Sequence, residues 1–126
     1  MNQFVKVNGT EYPAEVIYNY ADRNWNEREV QTIYLHVPYA QVAALLTTGT
    51  PWSRVFRETV DKFDNDGNPT GETDEVVTEE DMSAYSLAGE ITDYRDGTVS
   101  IKMGKPTETE MLRAQLAEIE EAYDAN

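Results

Sequence analysis

The spacing of apolar and polar residues predicts strands along most of the chain. Residues 4–7 and 11–20 form extended runs on either side of Asn8-Gly9, a pair that readily adopts the positive φ angles of a two-residue hairpin turn. Residues 21–27 are polar and predict a loop that contains Trp25. Residues 29–37 then alternate, which predicts a third strand with at least one apolar face.

A short helix is predicted after this strand. Pro38 suits the first turn of a helix, and apolar residues recur at helical spacing from Tyr39 to Leu46. Gly49 and Pro51 then end the pattern, so the helix should have about three turns.

Residues 52–63 fit both a helix and a strand. Their large apolar side chains recur at helical spacing, which is the argument for a helix. We favour a strand, because the turn-rich residues 64–68 and a second extended run at 72–78 follow it. The whole segment then reads as one long hairpin.

Residues 86–93 and 98–103 form the next predicted hairpin, since they flank a turn that contains Asp96-Gly97. A capping box follows, in which Thr107 and Glu110 can each bond the backbone N–H of the other. It should start an amphipathic helix of roughly 16 residues. Its apolar stripe consists of Leu112, Leu116, Ile119 and Tyr123.

These elements predict one α+β domain with a mainly antiparallel sheet of five to seven strands, either open or curled toward a barrel. Residues 1–106 should form the β-rich part, with an acidic hairpin excursion at about 58–81. Residues 107–126 should form the C-terminal helix, which packs either on its own domain or on another chain.

Composition narrows the functional classes. The chain has 126 residues, no cysteine and a net charge of −14, so it should repel nucleic acid and anionic membrane surfaces. No apolar run is long enough to span a membrane, and the N-terminus lacks the features of a signal peptide. We therefore expect synthesis in the cytoplasm.

The negative charge is concentrated in two segments. Residues 58–81 contain ten acids and one base, Lys62, and residues 107–126 contain six acids and one base, Arg113. A charge run is usually a solvated face. The acids of 107–126 favour a partner with basic residues and argue against a parallel bundle of identical helices.

The sharpest motif resembles a calcium loop. Oxygen-bearing side chains recur from Asp64 to Glu75 at the spacing of such a loop, but Pro69 occupies the position that needs glycine. We therefore expect a plain turn and no metal site. The weak metal candidates are Asp64, Asp66, Asn68 and Glu75.

No catalytic residue is predicted. His36, the only histidine, lies in a predicted strand and should be packed or half-buried. The chain lacks a nucleophile motif and a glycine-rich phosphate loop, so no cofactor is expected. Trp25 either caps an end of the sheet or is an exposed contact residue. Trp25 and the apolar stripe are the candidate interaction residues.

Several stretches together resemble a known family. They are residues 7–13, the loop at 22–25, the helix at 39–46 with the following Trp52-Ser53, and residues 83–105. The chain resembles a family of small uncharacterised proteins encoded in phages and prophages of Gram-positive gut bacteria, commonly near the structural genes. The likeness spans about residues 5–112, and its motifs are structural rather than catalytic. The acidic excursion looks like an enlargement of a shorter connection.

The resemblance implies a virion-associated or assembly-associated protein of a phage, which is non-enzymatic and acts through protein–protein contacts. Its partners would be other phage structural proteins or further copies of itself, with no direct binding of nucleic acid or membranes. One alternative is an acidic decoy that mimics DNA and blocks a host nucleic-acid-binding protein, since clustered carboxylates can substitute for phosphates. A lesser alternative is a carboxylate-based hydrolase of the cell wall.

Overall fold

The described part of the chain folds into one antiparallel sheet and two helices. The computed structural model describes residues 2–124, with side chains through Glu121. Within that range the elements are β1 (Asn2–Val7), β2 (Thr10–Asp22), β3 (Arg28–Leu35), α1 (Tyr39–Leu45), β4 (Ser53–Phe63), β5 (Pro69–Asp81), β6 (Leu87–Asp93), β7 (Val99–Gly104) and α2 (Glu108–Asp124). The predicted α+β class is confirmed.

The seven strands lie in the order β5-β4-β1-β2-β3-β7-β6, and every pairing is antiparallel. The sheet does not close into a barrel, because β5 and β6 form its two edges. β2 joins its two halves: residues 10–13 pair with β1, and residues 14–22 pair with β3.

The turns follow the residues that favour them. Asn8 and Gly9 have φ angles of 52° and 80°, as the predicted hairpin turn requires. The turn between β6 and β7 is longer than a two-residue turn, and the N–H of Tyr94 donates to the carbonyl oxygen of Thr98 at 3.1 Å. Arg95 and Gly97 supply the positive φ angles there, at 59° and 93°.

The hydrophobic core lies on one face of the sheet beneath α1. Val42 of α1 and Leu46, directly after the helix, are buried against it. Trp52 is also buried, and its indole N–H donates to the carbonyl oxygen of Tyr85 at 3.0 Å. The other members of the core cluster are Val5, Val7, Val16, Ile33, Leu35, Met82, Val99, Ile101 and Met103.

The strand interpretation of residues 52–63 is confirmed. β4 pairs with β1 as far as Arg57, which lies opposite Asn2, and beyond that point it pairs with β5 alone. β5 is exposed along its whole length. Residues 58–76 thus form a two-stranded extension of the sheet, which we call the acidic ribbon.

The capping box at the start of α2 is confirmed. The N–H of Thr107 donates to the carboxylate of Glu110 at 2.9 Å, and the N–H of Glu110 donates to the hydroxyl of Thr107 at 3.2 Å. The helix has 17 residues. Neither described helix is long and apolar enough to cross a membrane.

Candidate interaction surfaces

A buried arginine holds the first turn of α2 on the sheet. The side chain of Arg28 is 2% exposed, and both of its terminal nitrogens donate to the carboxylate of Glu110, at 2.6 and 2.9 Å. Its Nε–H donates to the carbonyl oxygen of Trp25, and Nη1 also donates to the carbonyl oxygen of Lys105. A two-pronged ion pair of this kind fixes orientation as well as distance. The start of α2 is therefore oriented by the β-rich part of the chain, residues 1–106, which we call the body.

Glu110 has two roles at this junction, since the carboxylate that caps the helix also binds Arg28. The guanidinium of Arg28, followed by the N–H of Thr107, lowers the pKa of Glu110 to about 2. The carboxylate is therefore charged throughout the physiological range, and the junction does not act as a pH switch there.

The loop between β2 and β3 brings Trp25 onto the sheet. The carbonyl oxygen of Asp22 accepts the N–H groups of Trp25 and Glu27, and Asn26 and Glu27 adopt positive φ angles of 57° and 55°. The carboxylate of Asp22 accepts the N–H of Asn24 at 2.9 Å. The tight loop folds the indole back over the outer face of the sheet.

Two glycines make room for this indole. A Cβ built on Gly89 would lie 2.6 Å from two ring carbons of Trp25, and one built on Gly104 would lie 2.7 Å from the same ring. The guanidinium of Arg28 lies 4.7 Å from the centre of the ring, where a cation–π contact is favourable. Trp25 is partly buried here and caps the face of the sheet. Its role as a contact residue stays a prediction.

A second ion pair closes the same loop onto β7. Nζ of Lys102 lies 2.7 Å from the buried carboxylate of Asp22. This bond lowers the pKa of Asp22 and raises the pKa of Lys102. The loop is thus fixed to β7 by charge and to β6 by the packing of Trp25 on Gly89.

The apolar stripe of α2 is exposed. Every residue from Met111 to Glu121 is exposed, and Leu112, Leu116 and Ile119 expose 56%, 55% and 65% of their surface. The side chain of Tyr123, the fourth predicted member, lies outside the described residues. After its anchored first turn, the helix therefore exposes its described apolar side chains to solvent.

The acidic ribbon is the second exposed surface. Arg57 pairs with Glu75 of the ribbon, and Lys62 lies near the ribbon acids Glu72 and Asp74. These pairs neutralise part of the ribbon, and next to it Lys6 pairs with Glu79 of β5. Apolar side chains also face solvent there, and Phe63 is 61% exposed. The ribbon is an extended surface of mixed polarity with a strong negative excess.

The four weak metal candidates do not converge. Glu75 lies opposite Thr59 and binds Arg57, so it is five strand positions from Asp64, roughly 17 Å along the ribbon. One carboxylate oxygen of Asp64 accepts the N–H groups of Asp66 and Asn68, which builds a turn. No cluster that could hold a metal ion occurs among the described residues.

The remaining polar features give no support to catalysis. His36 is exposed, which corrects the expectation that it is packed or half-buried, because β3 ends at Leu35 and the chain bends there. A cleft of about 500 Å³ beside the first turn of α2 is lined by Tyr20, Glu29, Lys105 and Met111, among others. Carboxylates with shifted pKa values in the described chain all shift downward, whereas a general acid needs a raised pKa.

Sequence reasoning missed the anchor of α2. Arg28 precedes the predicted third strand, and nothing in its neighbourhood distinguishes it from a surface arginine. Gly89 lies within a predicted strand, where an isolated glycine signals a close approach of another group, and Gly104 directly follows the next predicted strand. That signal was available, although it does not name Trp25 as the group.

Comparison of the chain with protein-family models, with curated proteins and with solved structures gives no match.

Proposed function

We propose that this chain is a non-enzymatic protein that acts through protein–protein contacts, with α2 as its docking element. The observation that carries the proposal is the apolar stripe of α2, which is exposed on a helix whose start is fixed by the pair of Arg28 and Glu110. A regular row of large apolar side chains in water favours association. The rigid junction presents the stripe in a defined direction, which lowers the cost of ordering it on binding.

The setting we propose is the structure or assembly of a phage particle. Its support is the resemblance of residues 5–112 to small phage and prophage proteins. A small chain with a compact sheet and a projecting helix suits such a role, because the helix can reach a neighbouring subunit while the sheet remains folded.

Purified particles test this function. A lysogen that carries the gene would be induced, and the particles would be probed for the chain. We expect the wild-type chain to co-purify with particles and the L112S/L116S variant to be lost from them. F63S is the matched control, since Phe63 is an exposed apolar residue on the acidic ribbon, and it should be retained. Equal retention of all three chains, or absence of the wild-type chain, would contradict the proposal.

The exposed acidic ribbon favours a second candidate, the decoy that mimics DNA. Such a decoy would compete with DNA for a basic DNA-binding protein, and its affinity would fall steeply with salt. The ion pairs of Arg57 and Lys62 reduce the charge that the ribbon can offer. A competition assay with a histone-like protein separates this function from docking by α2, because only the decoy needs the ribbon acids.

A further inference from the structure

The charges along α2 indicate which partner covers its apolar stripe. We propose that α2 pairs with α2 of a second copy of this chain in the antiparallel direction. This inference rests on the proposed function and specifies its partner. Three features of the described helix carry it: the residues that flank the stripe, the acids of its second half, and the position of the body at one end.

The first feature is the pair of side chains beside the stripe. Leu112, Leu116 and Ile119 occupy the seam positions of a heptad pattern, and Arg113 and Glu120 occupy the same flanking position one heptad apart. An antiparallel pair places the first half of one helix beside the second half of the other. When Leu116 meets Ile119 of the second copy, Arg113 lies beside Glu120 of that copy. The two-fold axis repeats this contact, so the dimer contains it twice.

The parallel pairing would form as many ion pairs but would leave a different acid unpaired. There the flanking neighbours would be Arg113 with Glu108, and Glu120 with Gln115. Glu108 lies in the first turn, where the helix dipole already favours an acid, whereas Glu120 lies in the second half and gains more from an opposite charge.

The second feature is the charge of the second half of the helix. Glu118, Glu120 and Glu121 lie there, and the last turn contains no basic residue. Acids near the C-terminus of a helix are unfavourable, since the carbonyl groups make that end negative. In an antiparallel pair these acids lie beside the first half of the second helix, where Arg113 and the buried Arg28 offset Glu108 and Glu110. A parallel pair would instead place the acidic second halves of both helices side by side, so the charges favour the antiparallel direction.

The third feature is the distance between the two bodies. Residues 1–106 of each chain carry a net charge of −9, and the helix is about 25 Å long. An antiparallel pair puts the bodies at opposite ends, farther apart than the screening length of about 8 Å at physiological salt. A parallel pair would bring both bodies to the same end. Long-range repulsion therefore favours the antiparallel arrangement.

Charge exchange on the full chain tests the pairing, with sedimentation equilibrium as the readout of the dimer dissociation constant. We expect the wild-type chain to dimerise, and R113E and E120R each to weaken the dimer about tenfold, because two attractive pairs become repulsive. The double variant R113E/E120R should recover to within about twofold of the wild type, since the exchanged charges again face each other. E121R is the matched control, because it changes the net charge as E120R does but lies away from the seam, and it should not weaken the dimer.

Two further results separate this inference from the proposed function. L116D places a charge in the seam and should leave a folded monomer, since Leu116 is exposed in the single chain. A wild-type monomer at millimolar concentration, a dimer that persists in L116D, or a double variant that stays weak would each overturn the antiparallel pairing. If the antiparallel pairing is overturned but the wild-type chain still needs its apolar stripe to join particles, the docking function stands with another partner. If it joins no particle either, both proposals fail.

Discussion

Replacing Gly89 with alanine tests the packing of Trp25 on the sheet. The added Cβ would lie 2.6 Å from two carbons of the indole, whereas ordinary carbon contacts begin near 3.5 Å. The ring would have to move by almost 1 Å, away from its place beside Arg28. Overpacking of this kind costs about 1–3 kcal/mol, and the backbone gain of alanine over glycine offsets about 0.5–1 kcal/mol of it.

We therefore expect G89A to destabilise the chain by about 1–2 kcal/mol, which corresponds to a fall in Tm of about 4–8 °C for a domain of this size. Without the indole of Trp25, G89A should have the opposite effect on stability. In the W25A background, G89A should stabilise the chain by about 0.5 kcal/mol, because only the backbone gain remains. The two substitutions should thus couple by roughly 2 kcal/mol.

Urea unfolding of the four chains measures this coupling. The fluorescence of the buried Trp52 reports unfolding in every variant, including those without Trp25. G104A is the matched comparison, since its Cβ would also lie 2.7 Å from the side chain of Arg28 and should remain unfavourable in W25A. If G89A is neutral in the wild type, or equally destabilising with and without Trp25, the close packing of the indole on Gly89 is refuted.

Three further predictions concern the ribbon and the foot of α2. Replacing residues 60–74 with Asn-Gly should change Tm by no more than a few degrees, because the pairs of Arg57 with Glu11 and Glu75 remain; a chain that no longer folds would contradict this. The E110Q variant should be less stable than the wild type at pH 7. The difference in Tm should shrink as the pH falls from about 4.5 toward 2, because Glu110 has a lowered pKa and its contribution to stability disappears on protonation. A constant difference in Tm across that range would refute the pair with Arg28 as its cause. Calorimetry should detect no micromolar calcium site in the loop from Asp64 to Glu75, and a stoichiometric site lost in D64A would overturn this prediction.

Local signals in the sequence account for most of the fold. Asn8-Gly9 and Asp96-Gly97 marked two hairpins, and Thr107 with Glu110 marked the start of α2. Each of these motifs acts through bonds within a few residues, so its outcome depends little on the rest of the chain. The choice of strand for residues 52–63 also came from local turn residues, although the apolar spacing favoured a helix.

The extent of β2 and β5 depends on the neighbouring strands and could not be predicted from the residues of either strand alone. Residues 21–22 were expected in a loop, but Asp22 pairs with Arg28 and ends a longer strand. β5 extends beyond residues 72–78 at both ends because β4 offers a pairing edge along its whole length. The end of a strand is set by its neighbour, which the residues of the strand itself do not reveal.

For the candidate surfaces too, local features could be predicted from the sequence, whereas features that depend on distant residues could not. The stripe of α2 was predicted from its spacing, but its exposure required the position of the helix relative to the sheet. Arg28 could not be predicted as an anchor, since its carboxylate partner lies 82 residues away in the sequence. His36 was expected to be packed because alternation was extended past Leu35, where the strand ends.

The order of the strands has a consequence for the folding rate. Four of the six pairings join strands that are neighbours in sequence, whereas β1–β4 and β3–β7 bring together distant segments, as in Phe4 with Val55 and Ile33 with Ile101. Hairpins close quickly, but distant segments must lose the entropy of a long loop before their contacts stabilise them. Formation of these two pairings should therefore limit the rate of folding. Truncation of Val55 or Ile101 would then slow folding, whereas changes at the ribbon tip would leave the folding rate unaltered.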